Sequence, residues 1–255
     1  MSNEQRPQWS QQRADLAGMT VVVLGGSGGV GEGVVRALLD DGATVIATGR
    51  DQIRLDEFAG RINNDALHVT PLEGMSDDLE EQVATLTVRF GPFDAVVVSI
   101  ASRGSQGRKL LLALSDDEWT TLVEDNLTAV FRVYRAFLPS LKQNGLLLQL
   151  NGASADIPFP GNAVVALTAA ASKSMTHTLA VELQNSGIQV YEIILGVVRT
   201  RARQLAGVDD RRWIDGEEIG IHIGELLART STLTGEVLQY FIDKAAGPVL
   251  SPPQF

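Results

Sequence analysis

The segment Gly25-Gly26-Ser27-Gly28-Gly29-Val30-Gly31 stands between a β-branched run, Thr20–Leu24, and residues with helical apolar spacing, Val34–Leu39. Glycines at that spacing let a backbone turn tightly and approach a pyrophosphate. The helix that follows offers unbonded N–H groups and the positive end of its dipole. Gly25, Ser27, Gly28, Gly29, Val30 and Gly31 are therefore the candidate contacts to the diphosphate of a nicotinamide dinucleotide. At the end of the next apolar run stands Thr48-Gly49-Arg50. Gly49 has no carboxylate to accept from a ribose 2′-hydroxyl, while Arg50 can pair with a 2′-phosphate. This favours NADP over NAD, with Asp51 as a local counterweight. Farther along, Asn151–Asp156 places Ser154 and Asp156 on a loop after an apolar run. Between Arg199 and Gly216 stand Arg199, Arg201, Arg203, Arg211, Arg212 and Trp213. That segment reads as a solvated lid offset by Asp209, Asp210 and Asp215, or as the receiver of an acidic substrate.

The elements that must position these residues alternate. Strands are expected at Thr20–Leu24, Thr44–Thr48, Ala66–Thr70, Asp94–Ile100, Leu146–Leu150, Gln189–Leu195 and Glu236–Ile242. Helices are expected at Val34–Leu39, Gln52–Ile62, Asp77–Phe90 after a Ser76 cap, Val164–Leu183 and Gly216–Ala228. Ser115–Leu141 is a helical region opened by a capping box of Ser115 with Glu118. Strands in turn with helices imply βαβ units. The expected fold is α/β: a Rossmann-type, doubly wound parallel sheet of about seven strands in three α/β/α layers. Residues 1–18 read as a polar tail and 19–255 as a single dinucleotide-binding domain.

Composition narrows the function classes. A net charge of −10 repels phosphate backbones, so a small molecule is the expected partner and nucleic acid is not. No apolar run approaches membrane-span length, and Met1–Gly18 lacks the apolar core of a signal peptide. With no cysteine, and with His68, His177 and His222 scattered, no metal site is expected. The expectation is a cytoplasmic protein without membrane contact.

From residue 19 to about residue 242 the chain resembles the short-chain dehydrogenase/reductase family. Gly25, Gly29 and Gly31 match its glycine spacing, with Leu24 where a threonine usually stands. Asn126 matches the asparagine of the central helix, and Thr234-Gly235 the pair before the last strand. Leu195-Gly196-Val197-Val198-Arg199-Thr200 is similar to Pro-Gly-x-x-x-Thr, whose threonine contacts the nicotinamide carboxamide; Thr200 keeps it and Leu195 replaces the proline. In Ser99-Ile100-Ala101-Ser102 only Ala101 survives from Asn-Asn-Ala-Gly. Lys173 matches the lysine of Tyr-x-x-x-Lys, a ribose ligand in the family, but the tyrosine falls on Ala169. Gly152 falls on the family's serine, with Ser154 nearby. The resemblance implies cofactor contacts at Arg50, Ala101, Asn126, Lys173 and Thr200, and assembly as a homo-oligomer, a dimer or homotetramer.

The family's phenol, its pKa lowered by the lysine, passes a proton to or from substrate. Alanine removes that acid, leaving Lys173, Asn126, Ser154 and Asp156 as the catalytic candidates. Three readings follow. The protein is an NADP-dependent oxidoreductase with an altered site, reducing a carbonyl or imine. Alternatively it is a degenerate dinucleotide-binding sensor or subunit, or a cofactor-independent lyase or cyclase.

Overall fold

The computed structural model describes residues 7–10 and 13–252. Seven parallel strands form the main sheet: β1 (Thr20–Leu24), β2 (Thr44–Gly49), β3 (Leu67–Pro71), β4 (Phe93–Val98), β5 (Leu141–Gly152), β6 (Gln189–Leu195) and β9 (Leu238–Phe241). Their order is β3-β2-β1-β4-β5-β6-β9, so the winding reverses between β1 and β4. Ligands in such sheets bind outside the strands' C-terminal ends at that reversal. The runs Val21–Leu24 and Ala95–Val98 are wholly buried, as strands covered on both faces must be.

Helices α1 (Gly31–Asp40) and α8 (Gly216–Leu227) cover one face, over Val21, Val23, Val45, Ala95, Leu148 and Ile193. Helices α3 (Leu79–Phe90) and α5 (Ala129–Phe137) cover the other, over Val22, Ile46, Val96, Val98 and Leu147, with Met175 and Leu179 of α6 (Ala163–Glu182) at its edge. The remaining helices are α2 (Gln52–Ile62), α4 (Asp116–Val123) and the short α7 (Arg201–Leu205). A two-residue pair, β7 (Val198–Arg199) with β8 (Ile214–Asp215), joins the ends of the Arg199–Gly216 segment. α1 and α8 meet backbone to backbone: a Cβ on Gly33 would lie 2.3 Å from the Gly216 carbonyl carbon.

Several boundaries differ from expectation. α3 starts at Leu79, because Ser76 does not cap it; its hydroxyl bonds Asp78 instead. β5 begins at Leu141, so the helical region from Ser115 stops one residue earlier, after a π turn at Glu124–Thr128 and a 3₁₀ turn at Leu138–Ser140. β4 ends at Val98 and β9 is confined to Leu238–Phe241. The Ser115–Glu118 capping box forms as read. Of the expected tail, residues 1–6 and 11–12 lie outside the described residues. Ala14 and Leu16 are buried in the core, and Trp9 packs edge-on against Phe241 and His222. The polar reading of residues 1–18 missed these apolar anchors because they are too few to show a period. No described helix is long and apolar enough to cross a membrane.

Candidate functional site

The glycine loop leaves β1 at the winding reversal. Gly25 has φ +76°, and a Cβ there would stand 2.3 Å from the Ser99 carbonyl oxygen at the end of β4. Gly31 is equally confined: its Cβ would fall 2.2 Å from the Gly25 oxygen. Only glycine allows this fold-back. The crest at Gly28 and Gly29 opens to free space, and no side chain caps α1 at Val30. An uncapped helix start behind an open crest fits the pyrophosphate of a dinucleotide; Gly25, Ser27, Gly28, Gly29, Val30 and Gly31 would hold it. At the end of β2, the exposed Arg50 has its nearest carboxylate, Asp125, at 4.0 Å. Asp51 accepts from the Ile53 and Arg54 N–H groups at 2.9 and 3.2 Å, capping α2, so its carboxylate is already engaged.

Asn126 sits in the π turn between α4 and α5 and is buried. Its amide donates to the Ser102 and Leu122 carbonyls at 2.9 and 2.8 Å, and its oxygen accepts from the Ser102 N–H at 2.7 Å. Asn126 thus clamps the loop between β4 and α4. The same loop carries Ala101, which is exposed, and is tied to the start of α6. There Lys109 N–H donates to the Gly161 carbonyl at 3.1 Å and Arg108 to the Pro160 carbonyl at 3.0 Å.

Val165, Ala169 and Lys173 form a half-buried stripe along α6 at four-residue spacing, and Lys173 is its only polar member. Lys173 Nζ lies 2.6 Å from Asp156 Oδ1 and 3.1 Å from the Tyr240 hydroxyl, with the ring centroid 5.4 Å away. Burial opposes the Lys173 charge, but the bonds from Asp156 and Tyr240 outweigh it and raise its pKa. Lys173 and Asp156 are therefore one pair, bridging the β5–α6 loop to β9, and Asn126 bonds neither. Ser154 lies in a 3₁₀ turn, Ala153–Ala155. Its hydroxyl stands 3.5 Å from where a Cβ on Gly152 would be, so it overhangs the end of β5. Thr200 caps α7, its hydroxyl accepting from the Arg203 N–H at 3.4 Å.

Beneath this stripe lies a polar layer that the sequence reading did not single out. Asn151 donates to the Ala169 carbonyl and to Glu192 Oε1, both at 2.8 Å. The Tyr134 hydroxyl contacts Gln149 at 3.1 Å and Thr176 at 2.8 Å. Glu192 is fully buried, and its second oxygen has no hydrogen-bond partner among the described residues. Burial raises its carboxyl to about 7, against smaller opposing effects of Asn151, Thr176 and Lys173. On α6, one turn beyond Lys173, burial and then the Lys173 charge lower the His177 pKa. Polar residues interrupting the apolar runs Leu146–Leu150 and Gln189–Leu195 are the sequence signal that marks this layer.

Residues 19–210 match the family described as short chain dehydrogenase. The chain belongs to this family. An uncharacterized oxidoreductase of Staphylococcus epidermidis is 29% identical over 203 residues, 78% of this chain and 86% of that protein. One from Staphylococcus aureus is 26% identical over 210 residues, 80% and 88% of the two chains. Among solved structures, a short-chain dehydrogenase/reductase from Brucella melitensis described as a glucose/ribitol dehydrogenase superposes with TM-score 0.73 at 26% identity, over 86% of this chain and 93% of its own. A 3-ketoacyl-(acyl-carrier-protein) reductase of the same organism, complexed with NADH, shares the fold at TM-score 0.75 and 20% identity, covering 89% of this chain and 98% of its own.

Proposed function

We propose that this short-chain dehydrogenase/reductase-type oxidoreductase is NADP-dependent and reduces a carbonyl or imine of a small molecule with a site altered from the family pattern. The observation that carries the reading is the open glycine crest before an uncapped α1, with the exposed Arg50 held, among the described residues, only by a long 4.0 Å contact to Asp125. Asp51, engaged as a helix cap, does not compete for the ribose. When bound, the nicotinamide dinucleotide supplies the hydride. The chain's share is orientation and the proton. Asn126 holds the β4–α4 loop, and Thr200 shapes the opposite wall through α7. The α6 stripe offers no phenol: Val165 and Ala169 are apolar and Lys173 is held by Asp156 and Tyr240. The proton comes from the Ser154 hydroxyl, from water, or through the Asp156–Lys173 pair, whose proton sits on the Lys173 ammonium. General acid help is worth roughly 10²–10⁴ in rate. An acceptor that already carries positive charge, such as an iminium, needs least of it.

Calorimetric titration with NADPH and NADH tests the cofactor assignment. The expected result is tighter binding of NADPH; no heat with either, on folded protein, overturns it. NADPH oxidation with paired imine and ketone acceptors tests the chemistry, the imine turning over faster. A second reading, a binding protein without turnover, is favoured by the Asp156–Lys173–Tyr240 contact, which occupies the one cation on the stripe. Tight NADPH binding with no turnover across the panel would select it. Exposed Phe131 on α5 and Leu167 on α6 support association between copies of the chain. Light scattering that finds only monomer would remove that part.

A further inference from the structure

In the segment after β6, Arg201 and Arg211 are exposed to solvent, Arg203 is half-buried, and Arg199 and Arg212 each have a carboxylate of their own. Arg199 holds Asp209 through two nitrogens, at 2.5 and 2.8 Å, and reaches Asp215 at 3.4 Å. Arg212 holds Asp210 at 2.7 Å, and Lys244 pairs with Asp215 and Glu218. Arg203 differs. It donates to the Val198 carbonyl at 2.5 Å and lies over the Trp213 ring at 5.5 Å from the centroid. A backbone bond on one side and an aromatic face on another fix the guanidinium. Among the described residues no carboxylate bonds it. The charged neighbour that acts on it is a second cation, Arg103, on the loop that Asn126 clamps. Burial, and after it the Arg103 charge, lower the Arg203 pKa.

The two arginines come from different walls. Arg103 follows β4 and Arg203 follows β6, the strands on either side of β5, so both stand beyond the strands' C-terminal ends where this class of sheet binds ligands. The glycine loop and Arg50 lie on the other side of β4, beside β1 and β2. Arg203 is half-buried, so its charge carries a desolvation cost, and the like charge of the exposed Arg103 adds to it; a bound anion would offset both. The planar, preoriented fork of arginine matches an oxyanion with two acceptor oxygens.

We infer that Arg103 and Arg203 receive the anionic group of the substrate, a carboxylate or a phosphate, and so restrict the substrate class to acidic carbonyl or imine compounds. This rests on the substrate lying at the C-terminal end of β5, as in the function proposed above. The test uses the full chain saturated with NADPH. Isothermal titration is run with phenylpyruvate, with its methyl ester, and with inorganic phosphate. At least one of the two anions binds, the ester binds at least tenfold more weakly than the acid, and raising the salt weakens the anion alone. Arg103→Gln and Arg203→Gln each weaken anion binding about tenfold or more. Arg203→Lys, which keeps the charge and loses the fork, falls between; it also serves if Arg203→Gln fails to fold. Arg212→Gln, removing an exposed arginine paired with Asp210, leaves binding unchanged. Equal binding of acid and ester, or anion binding indifferent to both arginines, overturns the inference. So does anion binding that saturating NADPH abolishes, since the arginines would then serve the cofactor's phosphates. Absence of NADPH binding, with anion binding intact, would count against the proposed function and leave the arginine pair standing.

Discussion

Glu192→Gln is expected to make the protein more stable in mild base. Glu192 is fully buried, has one oxygen without a hydrogen-bond partner among the described residues, and has its carboxyl raised from 4.5 to about 7 by burial. The folded chain therefore keeps a proton there that the unfolded chain has released. The sign follows from linkage: the site is neutral and harmless below the unfolded pKa, and its destabilising charge develops as pH rises through the folded value. At about 1.4 kcal/mol per pK unit the full effect is on the order of 3 kcal/mol, of which about 2 kcal/mol develops between pH 5.5 and pH 8.5. Glutamine keeps the acceptor for the Asn151 amide and nearly the same volume, and its new N–H group has the Thr176 hydroxyl beside it. Urea unfolding followed by circular dichroism, on parent and variant at both pH values, measures this. The variant should gain about 2 kcal/mol relative to the parent on moving from pH 5.5 to pH 8.5, with an unchanged urea slope. A stability difference independent of pH, or a variant weaker than the parent at pH 8.5, would refute the claim that Glu192 is buried with a raised pKa.

The other expectations concern the site and its frame. Arg50→Gln should weaken NADPH about tenfold while leaving NADH binding nearly unchanged, read by titration calorimetry; equal losses for both would remove Arg50 from the 2′-phosphate. Asn126→Ala releases three hydrogen bonds to Leu122 and Ser102 and should cost roughly 1–3 kcal/mol, with faster hydrogen exchange at the Ser102 amide. Slow exchange at Ser102 in that variant would mean the loop is held elsewhere. Gly220→Leu drives a side chain into α1, where even a Cβ would lie 2.6 Å from the Ala37 Cβ, so the variant should lose cooperative folding in thermal melts. A normal melt would show that α1 and α8 can separate without loss.

What the sequence made legible is local. Helix α2 and strand β6 fall at the residues their periodicity marks, and the glycine loop is legible because its turn, its open crest and its helix start lie within one short stretch. The capping box at Ser115 is equally local, whereas Ser76 fails as a cap because Asp78, two residues on, takes its hydroxyl. The contacts across elements are of another kind. Tyr240 has Lys244 four residues later, but Lys244 pairs with Asp215 and Glu218, while the sheet carries β9 alongside β6 and brings the Tyr240 hydroxyl to Lys173 on α6. Gln149 and Glu192 each look like a lone polar residue interrupting a buried strand. The parallel register of β5 and β6 sets them side by side, and α5 and α6 then lay Tyr134 and Thr176 over them. A polar residue in a doubly covered strand is unfavourable alone and acceptable in company. Such an interruption in two strands that pair is therefore a signal in itself, readable once the strand order is known. Here it marks the layer beneath the α6 stripe of Val165, Ala169 and Lys173.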